Sequence, residues 1–266
     1  MIKSFIQNLF LKFGYKILNL KKDKSNLDQF LKELITNKNP LIFDAGSNDG
    51  RSIKKFKKFF PESIIHAFEP DKRAFKILSE NYSGFNEINL NFFGLGEKNK
   101  KQEFYSYIDT GKSSFNKLIL NSNFLKYKSK MQNVTQENFL KDKYECEIKT
   151  IENYCSEKNI NKIDFLKIDT QGYEVNTLIG AENFLKKNDI DVIKLEIIFS
   201  SAYNQITNIY DIEKRLIPYG YKLFGTNNYG NLYTDFNWQC DFIYISKNTF
   251  NRIKNNPKFK SFVQEK

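Results

Sequence analysis

Two glycines and an acidic residue follow an apolar run in the stretch LIFDAGSNDG. Asp44, Gly46 and Gly50 form the pattern D-x-G-x-x-x-G, which differs from the G-x-G-x-x-G of a dinucleotide-binding turn. The glycines let the backbone approach a ligand closely and turn into a helix, and Ser47 and Asn48 lie in the same turn. Because a carboxylate at Asp44 repels phosphate and attracts cations, the pattern favours S-adenosylmethionine, which carries an ammonium and a sulfonium but no phosphate.

A second acidic residue ends the next apolar run, SIIHAFEP. Glu69 lies about 20 residues beyond the glycine turn, where an acid can accept hydrogen bonds from both hydroxyls of a ribose. Pro70 follows it directly, and the third apolar run, INLNFFGLG, ends at Leu95 and Gly96. We expect these last two residues to lie beside the adenine.

Candidate catalytic groups follow the fourth and fifth apolar runs, IDFLKIDT and DVIKLEII. Asp169 ends one run and Glu196 the other, so neighbouring strands would bring two carboxylates together. Such a pair can accept the proton of an attacking alcohol, or hold Mg²⁺ through oxygen ligands. Tyr173 and Glu174 are further candidates, although Glu174 could equally cap the helix that begins there, since an acid stabilises a helix N-terminus.

Apolar runs and amphipathic helical stretches alternate from Leu41 onward. This alternation predicts an α/β fold, a mostly parallel sheet with helices on both faces, and ligands bind such sheets at the carboxyl ends of the strands. Two further apolar runs, YKLFGT and CDFIYIS, close the domain. The helical periodicity predicts helices over residues 52–60, 72–81, 174–187 and 211–219.

The sequence divides into a domain of residues 40–248 with an extension at each end. Residues 97–149 are polar and lack clear periodicity, which predicts an irregular insertion that acts as a loop or lid. Ser113 and Ser114, in GKSSF, are candidates for contact with the acceptor, and ordinary loop serines are the alternative. Residues 249–266 form a basic tail that we expect to be peripheral.

The first 39 residues contain apolar side chains at helical spacing, with lysines between them. This pattern predicts an amphipathic helical extension that packs on the domain or on a second subunit of a homodimer, or lies on a membrane surface as a basic anchor. The apolar positions of this helix are Ile2, Phe5, Ile6, Leu9, Phe10, Phe13 and Ile17.

The composition permits several partners. The chain has 266 residues, a formal charge of +11 and a pI near 9.3, which fits an anionic acceptor, a membrane surface, nucleic acid or a solvated lysine-rich surface. No apolar run reaches the ~18 residues of a membrane span. Three scattered cysteines fit a reducing cytosol, so we expect a cytoplasmic protein, with peripheral contact to the inner membrane face as the variant.

The motifs IFDAGSNDG, IIHAFEPD and IDFLKIDTQGYEVNTLIGAENFL resemble those of the FkbM-type family of S-adenosylmethionine-dependent methyltransferases, over roughly residues 41–245. The resemblance implies a class I methyltransferase fold, a Rossmann-like, seven-stranded, mostly parallel sheet with a reversed last strand. It also implies methylation of hydroxyl groups, often on the sugars of glycoconjugates or on natural products. Many members have His where this chain has Tyr173, and the single histidine, His66, lies within a strand, where a core role is the usual one.

Two rival functions remain from other classes. An RNA or DNA methyltransferase is disfavoured, because DTQG lacks the paired prolines of adenine N-methylation, no cysteine follows a proline, and Glu196 stands where ribose methylation uses a lysine. A non-catalytic module that keeps the fold for binding is the second rival. We therefore expect an O-methyltransferase for a sugar hydroxyl of a polysaccharide, glycolipid or nucleotide-sugar precursor, with no specific nucleic-acid partner.

Overall fold

The computed structural model describes residues 27–205, 207–228 and 239–256, together with Ile6, Phe10 and Lys12. The amphipathic helix predicted over the first residues and most of the basic tail lie outside the described residues. Within the described ranges, no helix is both long and apolar enough to cross a membrane.

The described residues form ten strands, nine α-helices and four short 3₁₀ turns. The strands are β1 (Leu41–Ala45), β2 (Ile64–Phe68), β3 (Ile88–Asn91), β4 (Gly94–Leu95), β5 (Lys100–Tyr107), β6 (Leu140–Lys149), β7 (Ile163–Ile168), β8 (Ile190–Ile198), β9 (Lys222–Asn228) and β10 (Gln239–Ile245). The helices are α1 (Leu31–Leu34), α2 (Arg51–Phe59), α3 (Lys72–Tyr82), α4 (Asn123–Met131), α5 (Ile151–Lys158), α6 (Glu174–Ile179), α7 (Glu182–Lys187), α8 (Ile209–Leu216) and α9 (Lys247–Ile253). The 3₁₀ turns are Leu27–Phe30, Thr110–Lys112, Glu137–Phe139 and Ile217–Tyr219.

Seven strands form the main sheet in the order β3-β2-β1-β7-β8-β10-β9. The pairs from β3 to β8 are parallel, and β10 runs antiparallel to both β8 and β9. The predicted α/β fold, with a seven-stranded, mostly parallel sheet and a reversed last strand, is confirmed. Because β1 lies between β2 and β7, their carboxyl ends meet at one edge.

The central strands are apolar on both faces because helices cover both faces of the sheet. Successive side chains of a strand point to opposite faces. Thus Phe43 and Leu166 join one hydrophobic cluster, whereas their neighbours Ile42 and Phe165 join the other, and all four are fully buried. This double burial explains the continuous apolar runs in the sequence.

The expectation of an irregular insertion is wrong for both ends of residues 97–149. β5 and β6 pair antiparallel along their whole length, and β6 also pairs with β4, so a second, three-stranded sheet forms. The sequence KKQEFYSY conceals β5 because its solvent-facing positions are charged while Phe104 and Ser106 point inward. The run INLNFFGLG accordingly splits into β3 and β4, which belong to different sheets.

Two further differences concern helices. The helix predicted over 174–187 is broken into α6 and α7 at Gly180, where a Cβ would lie only 2.0 Å from the carbonyl oxygen of Gly96. That close contact joins the helix break to the second sheet. Helix α5, for which no prediction was made, is capped by Thr150, whose side chain accepts from the N–H of Asn153.

Segments from both predicted extensions pack into the domain core. Leu31 and Leu34 of α1 are buried in the same cluster as Ile253 of α9. The preceding turn is fixed by Asp28, which is 1% exposed and accepts hydrogen bonds from Lys194 at 2.9 and 3.2 Å. Lys55 also binds this carboxylate, and Lys194 reaches Asp241 of β10 at 2.8 Å. A buried ion cluster therefore ties residues 27–30 to the sheet.

We expect Asp28→Asn to lower the free energy of unfolding by about 3 kcal/mol, because it removes a buried carboxylate that two ammonium groups share. Asp142→Asn is the matched control at an exposed acid and should change stability by less than about 0.5 kcal/mol. Denaturant unfolding of both variants measures the difference. Equal stability of the two would show that the ion cluster does not hold the N-terminal turn.

Candidate functional site

A cleft of about 560 Å³ opens at the carboxyl ends of β1, β2 and β7. Its walls come from the glycine turn, the residues after β2, strand β4, the insertion and the segment after β7. Eight of the residues singled out from the sequence line it: Gly46, Asn48, Glu69, Pro70, Leu95, Ser113, Asp169 and Tyr173. The others do not belong to its lining: Asp44, Ser47, Gly50, Gly96, Ser114, Glu174 and Glu196.

The glycines of the turn are required by close packing. Gly46 has φ of 78°, and a Cβ there would lie 2.0 Å from the carbonyl oxygen of Asp169. Gly50 has φ of 86° and precedes α2, and a Cβ there would lie 2.3 Å from the ring of Tyr82. The turn is thereby pressed against the end of β7. Ser47 is buried beneath it, with its hydroxyl donating to the carbonyl oxygen of Asp44 at 2.7 Å.

The carboxylate of Asp44 is already paired, which corrects the expectation that it would bind a cationic ligand directly. Asp44 is fully buried and accepts hydrogen bonds from Lys167 Nζ at 2.9 Å and from Ser52. Lys167 also donates to the carbonyl oxygen of Gly46 at 3.0 Å. Burial acts to lower the pKa of Lys167, but Asp44 and Asp169 outweigh it and raise the pKa, so the ammonium stays charged.

Glu69 lines the cleft directly after the end of β2. Its carboxylate is 5% exposed and accepts from the backbone N–H of Asn48 at 2.7 Å and of Asp71 at 2.6 Å. Burial raises its pKa to about 8 despite these hydrogen bonds. Each carboxylate oxygen keeps acceptor capacity beyond one backbone donor. A ligand with two neighbouring hydroxyls could therefore donate to Glu69 and favour its ionised form.

Asp169 and Glu196 are brought together at the ends of β7 and β8, as their positions predicted. The side-chain amide of Gln171 bridges them, donating to Asp169 Oδ1 and Glu196 Oε2 at 2.8 Å each. Burial acts to raise the pKa of Asp169, but Lys167 and Lys112 outweigh it and lower the pKa. Burial, together with the charge of Asp169, raises the pKa of Glu196 to about 7.

The carboxylate pair does not fit the predicted Mg²⁺ site. The Gln171 amide directs its N–H groups, which repel a cation, at an oxygen of each carboxylate. In the parts of the chain that the structure describes, no group of three or more His, Cys, Asp or Glu side chains could hold a metal ion. The described geometry therefore gives no support to a Mg²⁺ site at Asp169 and Glu196.

The geometry separates the two interpretations of Glu174. This carboxylate is 1% exposed and accepts from the backbone N–H groups of Thr170 and Gly172 at 3.2 and 3.0 Å, and from Thr207 at 2.7 Å. These bonds fix the segment between β7 and α6, so the position favours a structural role. Tyr173 is also bound internally, with its hydroxyl 2.9 Å from Glu97 Oε2, and burial raises its pKa.

The serines of the insertion differ in position. Ser113 lines the cleft and accepts from the N–H of Tyr107 at 3.0 Å. Ser114 instead donates to the carbonyl oxygen of Gln171 at 2.9 Å. Gly96 packs behind the cleft wall, where a Cβ would lie 2.9 Å from the ring of Tyr173.

His66 lies in the core, as expected. Its Nδ1 is 2.7 Å from the hydroxyl of Tyr154, and burial lowers its pKa to about 4. This histidine is therefore neutral at physiological pH, and it does not line the cleft.

Three polar residues that hold the carboxylate pair were not predicted from the sequence: Lys167, Gln171 and Lys112. Lys167 and Lys194 each stand two residues before an acid, within an apolar run. A charged residue inside a buried strand needs a partner, so this pattern was an available signal. Gln171 and Lys112 carry no such signal, because their contact joins the segment after β7 to the insertion.

Comparisons with known proteins identify a family and several similar proteins. The Methyltransferase FkbM domain matches residues 44–223. A curated relative, the 2-O-methyltransferase NoeI of Sinorhizobium fredii (strain NBRC 101917 / NGR234), is 25% identical over 154 residues, 58% of this chain and 62% of that protein. The chain thus spans less than two thirds of the length of this relative.

Solved structures with a similar arrangement include methyltransferase FkbM from Methylobacillus flagellatus KT, at 14% identity and a TM-score of 0.49. That comparison covers 78% of this chain and 44% of the other. Fibrillarin from Aeropyrum pernix, solved with natively bound S-adenosyl-L-methionine, is 12% identical with a TM-score of 0.45, over 84% of this chain and 73% of its own. Because the FkbM domain match extends over more than half of the chain, this protein belongs to the FkbM family of methyltransferases.

Proposed function

We propose that this protein is an S-adenosylmethionine-dependent O-methyltransferase that acts on a sugar hydroxyl. The observation that carries the proposal is the carboxylate pair Asp169 and Glu196, at the edge of a cleft that also contains the buried Glu69. The similarity to the 2-O-methyltransferase NoeI supports a hydroxyl as the acceptor.

The cleft residues fit the proposed cofactor. Glu69 would accept from the two ribose hydroxyls, and the apolar side chains of Phe68 and Leu95 would lie against the adenine. With the adenine at Leu95 and the ribose at Glu69, Asp169 would then lie near the methionine half.

When bound, S-adenosylmethionine supplies a methyl group on a positively charged sulfur. The chain has to orient the acceptor hydroxyl in line with that methyl group and to accept its proton. Asp169 lines the cleft and stays ionised, while the pKa of Glu196 near 7 suits a general base at neutral pH. Asp169 and Glu196 would take up the proton that the acceptor hydroxyl loses as it receives the methyl group from the bound cofactor.

The proposed acceptor is a sugar of a polysaccharide, a glycolipid or a nucleotide-sugar precursor. A radioactive methyl-transfer assay against a panel of these acceptors and RNA tests this assignment. We expect a sugar product that keeps its label in mild alkali, since a methyl ether is stable where a methyl ester is hydrolysed. A chelator should leave the rate unchanged, because the carboxylates face an amide donor.

Asp169→Asn and Glu196→Gln should each lower kcat by about 10²–10⁴-fold at saturating cofactor.

The control for these variants is again Asp142→Asn, an exposed acid of the insertion, which should keep the wild-type rate. Label found only in RNA, or only as a base-labile ester, would refute the proposed acceptor. Full turnover by both Asp169→Asn and Glu196→Gln would refute the role given to the carboxylates. A protein that binds no S-adenosylmethionine would be the non-catalytic module.

We expect the affinity for S-adenosylmethionine to rise with pH up to about pH 8. The pKa of Glu69 is near 8 in the cofactor-free protein, so its carboxyl is mostly protonated at pH 6. Ribose hydroxyls that donate to the ionised form would lower this pKa, and binding would release a proton. Linkage then requires affinity to rise by at most about tenfold per pH unit below pH 8 and to level off above it.

Calorimetric titration between pH 6 and 9, in buffers of different ionisation enthalpy, measures both the affinity and the proton release. Glu69→Gln should bind more weakly, with this pH dependence removed. A variant that keeps the wild-type slope would show that another group titrates and that Glu69 does not hold the ribose.

A further inference from the structure

The side chain of Gln171 has a distinct position between the two carboxylates and the insertion. It is 5% exposed, and its Nε2 donates to Asp169 and to Glu196 at 2.8 Å each. Its Oε1 accepts from Lys112 Nζ at 3.1 Å and lies 3.2 Å from the hydroxyl of Tyr203. Only one orientation of the amide fits, because the reverse would set its oxygen against two carboxylates and its N–H groups against an ammonium.

The backbone of Gln171 is held as firmly as its side chain. Its φ of 55° lies in the left-handed region, which is unfavourable for a residue with a Cβ. The carbonyl oxygen of Gln171 accepts from Ser114, and that of Gly172 accepts from Asn116 Nδ2 at 2.7 Å. The insertion therefore fixes both the backbone and the side-chain amide, at a conformation that the local sequence does not favour.

The two carboxylates are close enough for their charges to interact. Two adjacent carboxylates repel each other, so a shared donor decides how readily both can ionise. Burial and the charge of Asp169 raise the pKa of Glu196, while Lys112 and the hydrogen bond from Gln171 act to lower it. The charged groups that face the pair come from five elements: Lys167 from β7, Glu174 from α6, Lys194 from β8, Asp241 from β10, and Lys112 and Lys128 from the insertion. The titratable groups of Tyr203 and Cys240 also interact with Glu196.

We infer that Gln171 is a positioning residue that, oriented by Lys112, holds Asp169 and Glu196 in one geometry and keeps the pair able to accept a proton. The inference rests on the proposed function for its catalytic meaning, whereas the effect on the carboxylates is a property of the cofactor-free protein. The insertion then contributes to the chemistry through the amide of Gln171, which acts on the two carboxylates.

The test uses Gln171→Met, which keeps the length of the side chain and removes the amide. Carbon-13 NMR of the carboxyl groups follows the titration of Glu196 without any turnover. We expect its midpoint to move upward by about one pH unit, because one hydrogen bond to the ionised form is lost. The pH profile of kcat should move in the same direction, with kcat about tenfold lower at pH 7 and KM for S-adenosylmethionine within about twofold.

Gln171→Leu is the second variant, and it should move the Glu196 midpoint upward as well, since it also removes the amide while leaving the charge of Lys112 in place. It keeps the inference testable if Gln171→Met does not fold. Gln136→Met is the control, because Gln136 is an amide of the same insertion whose side-chain oxygen accepts a hydrogen bond from the N–H of Asn121, at 2.9 Å. It should leave the midpoint and the pH profile unchanged.

An unmoved midpoint in the folded variants would overturn the inference, as would a loss of kcat that is equal at every pH, which a purely structural role would give. The proposed function fails by a different result, namely a wild-type protein that shows no binding of S-adenosylmethionine in calorimetry. The NMR midpoints judge Gln171 in either case.

Discussion

The ion pair between the buried ammonium of Lys167 and Asp44 is the interaction on which the rest of the site depends. The ammonium lies 2.9 Å from Asp44, 3.0 Å from the carbonyl oxygen of Gly46 and 3.6 Å from Asp169. A charge removed from water is stable only when polar or oppositely charged groups surround it. Here those groups come from the glycine turn and from the end of β7, so the lysine joins the two. The glycine turn and the carboxylate pair are thus held by the same lysine, which the register of β1 and β7 places opposite Asp44.

The insertion closes the same cleft from the other side. Thr110 donates to the side chain of Asn48 in the glycine turn at 2.9 Å, and Lys112 reaches Gln171 beside the carboxylates. One short turn of the insertion therefore contacts both halves of the site. β5 and β6 anchor this turn in the second sheet, so the insertion forms an ordered wall of the cleft. Its polar sequence had instead predicted an irregular lid.

The parts of the molecule that the sequence predicted well are those set by local patterns. Continuous apolar runs predicted the strands that are buried on both faces. Glu69, Asp169 and Glu196 stand at the ends of such runs, and their position at one edge was predictable because parallel strands gather their carboxyl ends there. The reversed final strand followed from the family resemblance. Few arrangements other than a sheet covered on both faces would bury the apolar runs of this sequence.

The errors arose where a long-range contact decides the role of a residue. The charge of Asp44 suggested a cationic ligand, but its partner Lys167 is 123 positions away in the chain. Strand β5 was missed because the charged residues on its exposed face hide the alternation. Gln171 looks like an ordinary loop amide until the insertion is placed beside it. In each case the deciding partner comes from another element, which local periodicity cannot identify.

The central claim, that this cleft seats S-adenosylmethionine beside the carboxylate pair, is tested most directly by a crystal structure with S-adenosylhomocysteine bound. The account predicts both ribose hydroxyls within hydrogen-bond distance of Glu69, the adenine against Leu95, and the sulfur directed toward Asp169. A ligand bound elsewhere, or one whose ribose faces away from Glu69, would contradict it.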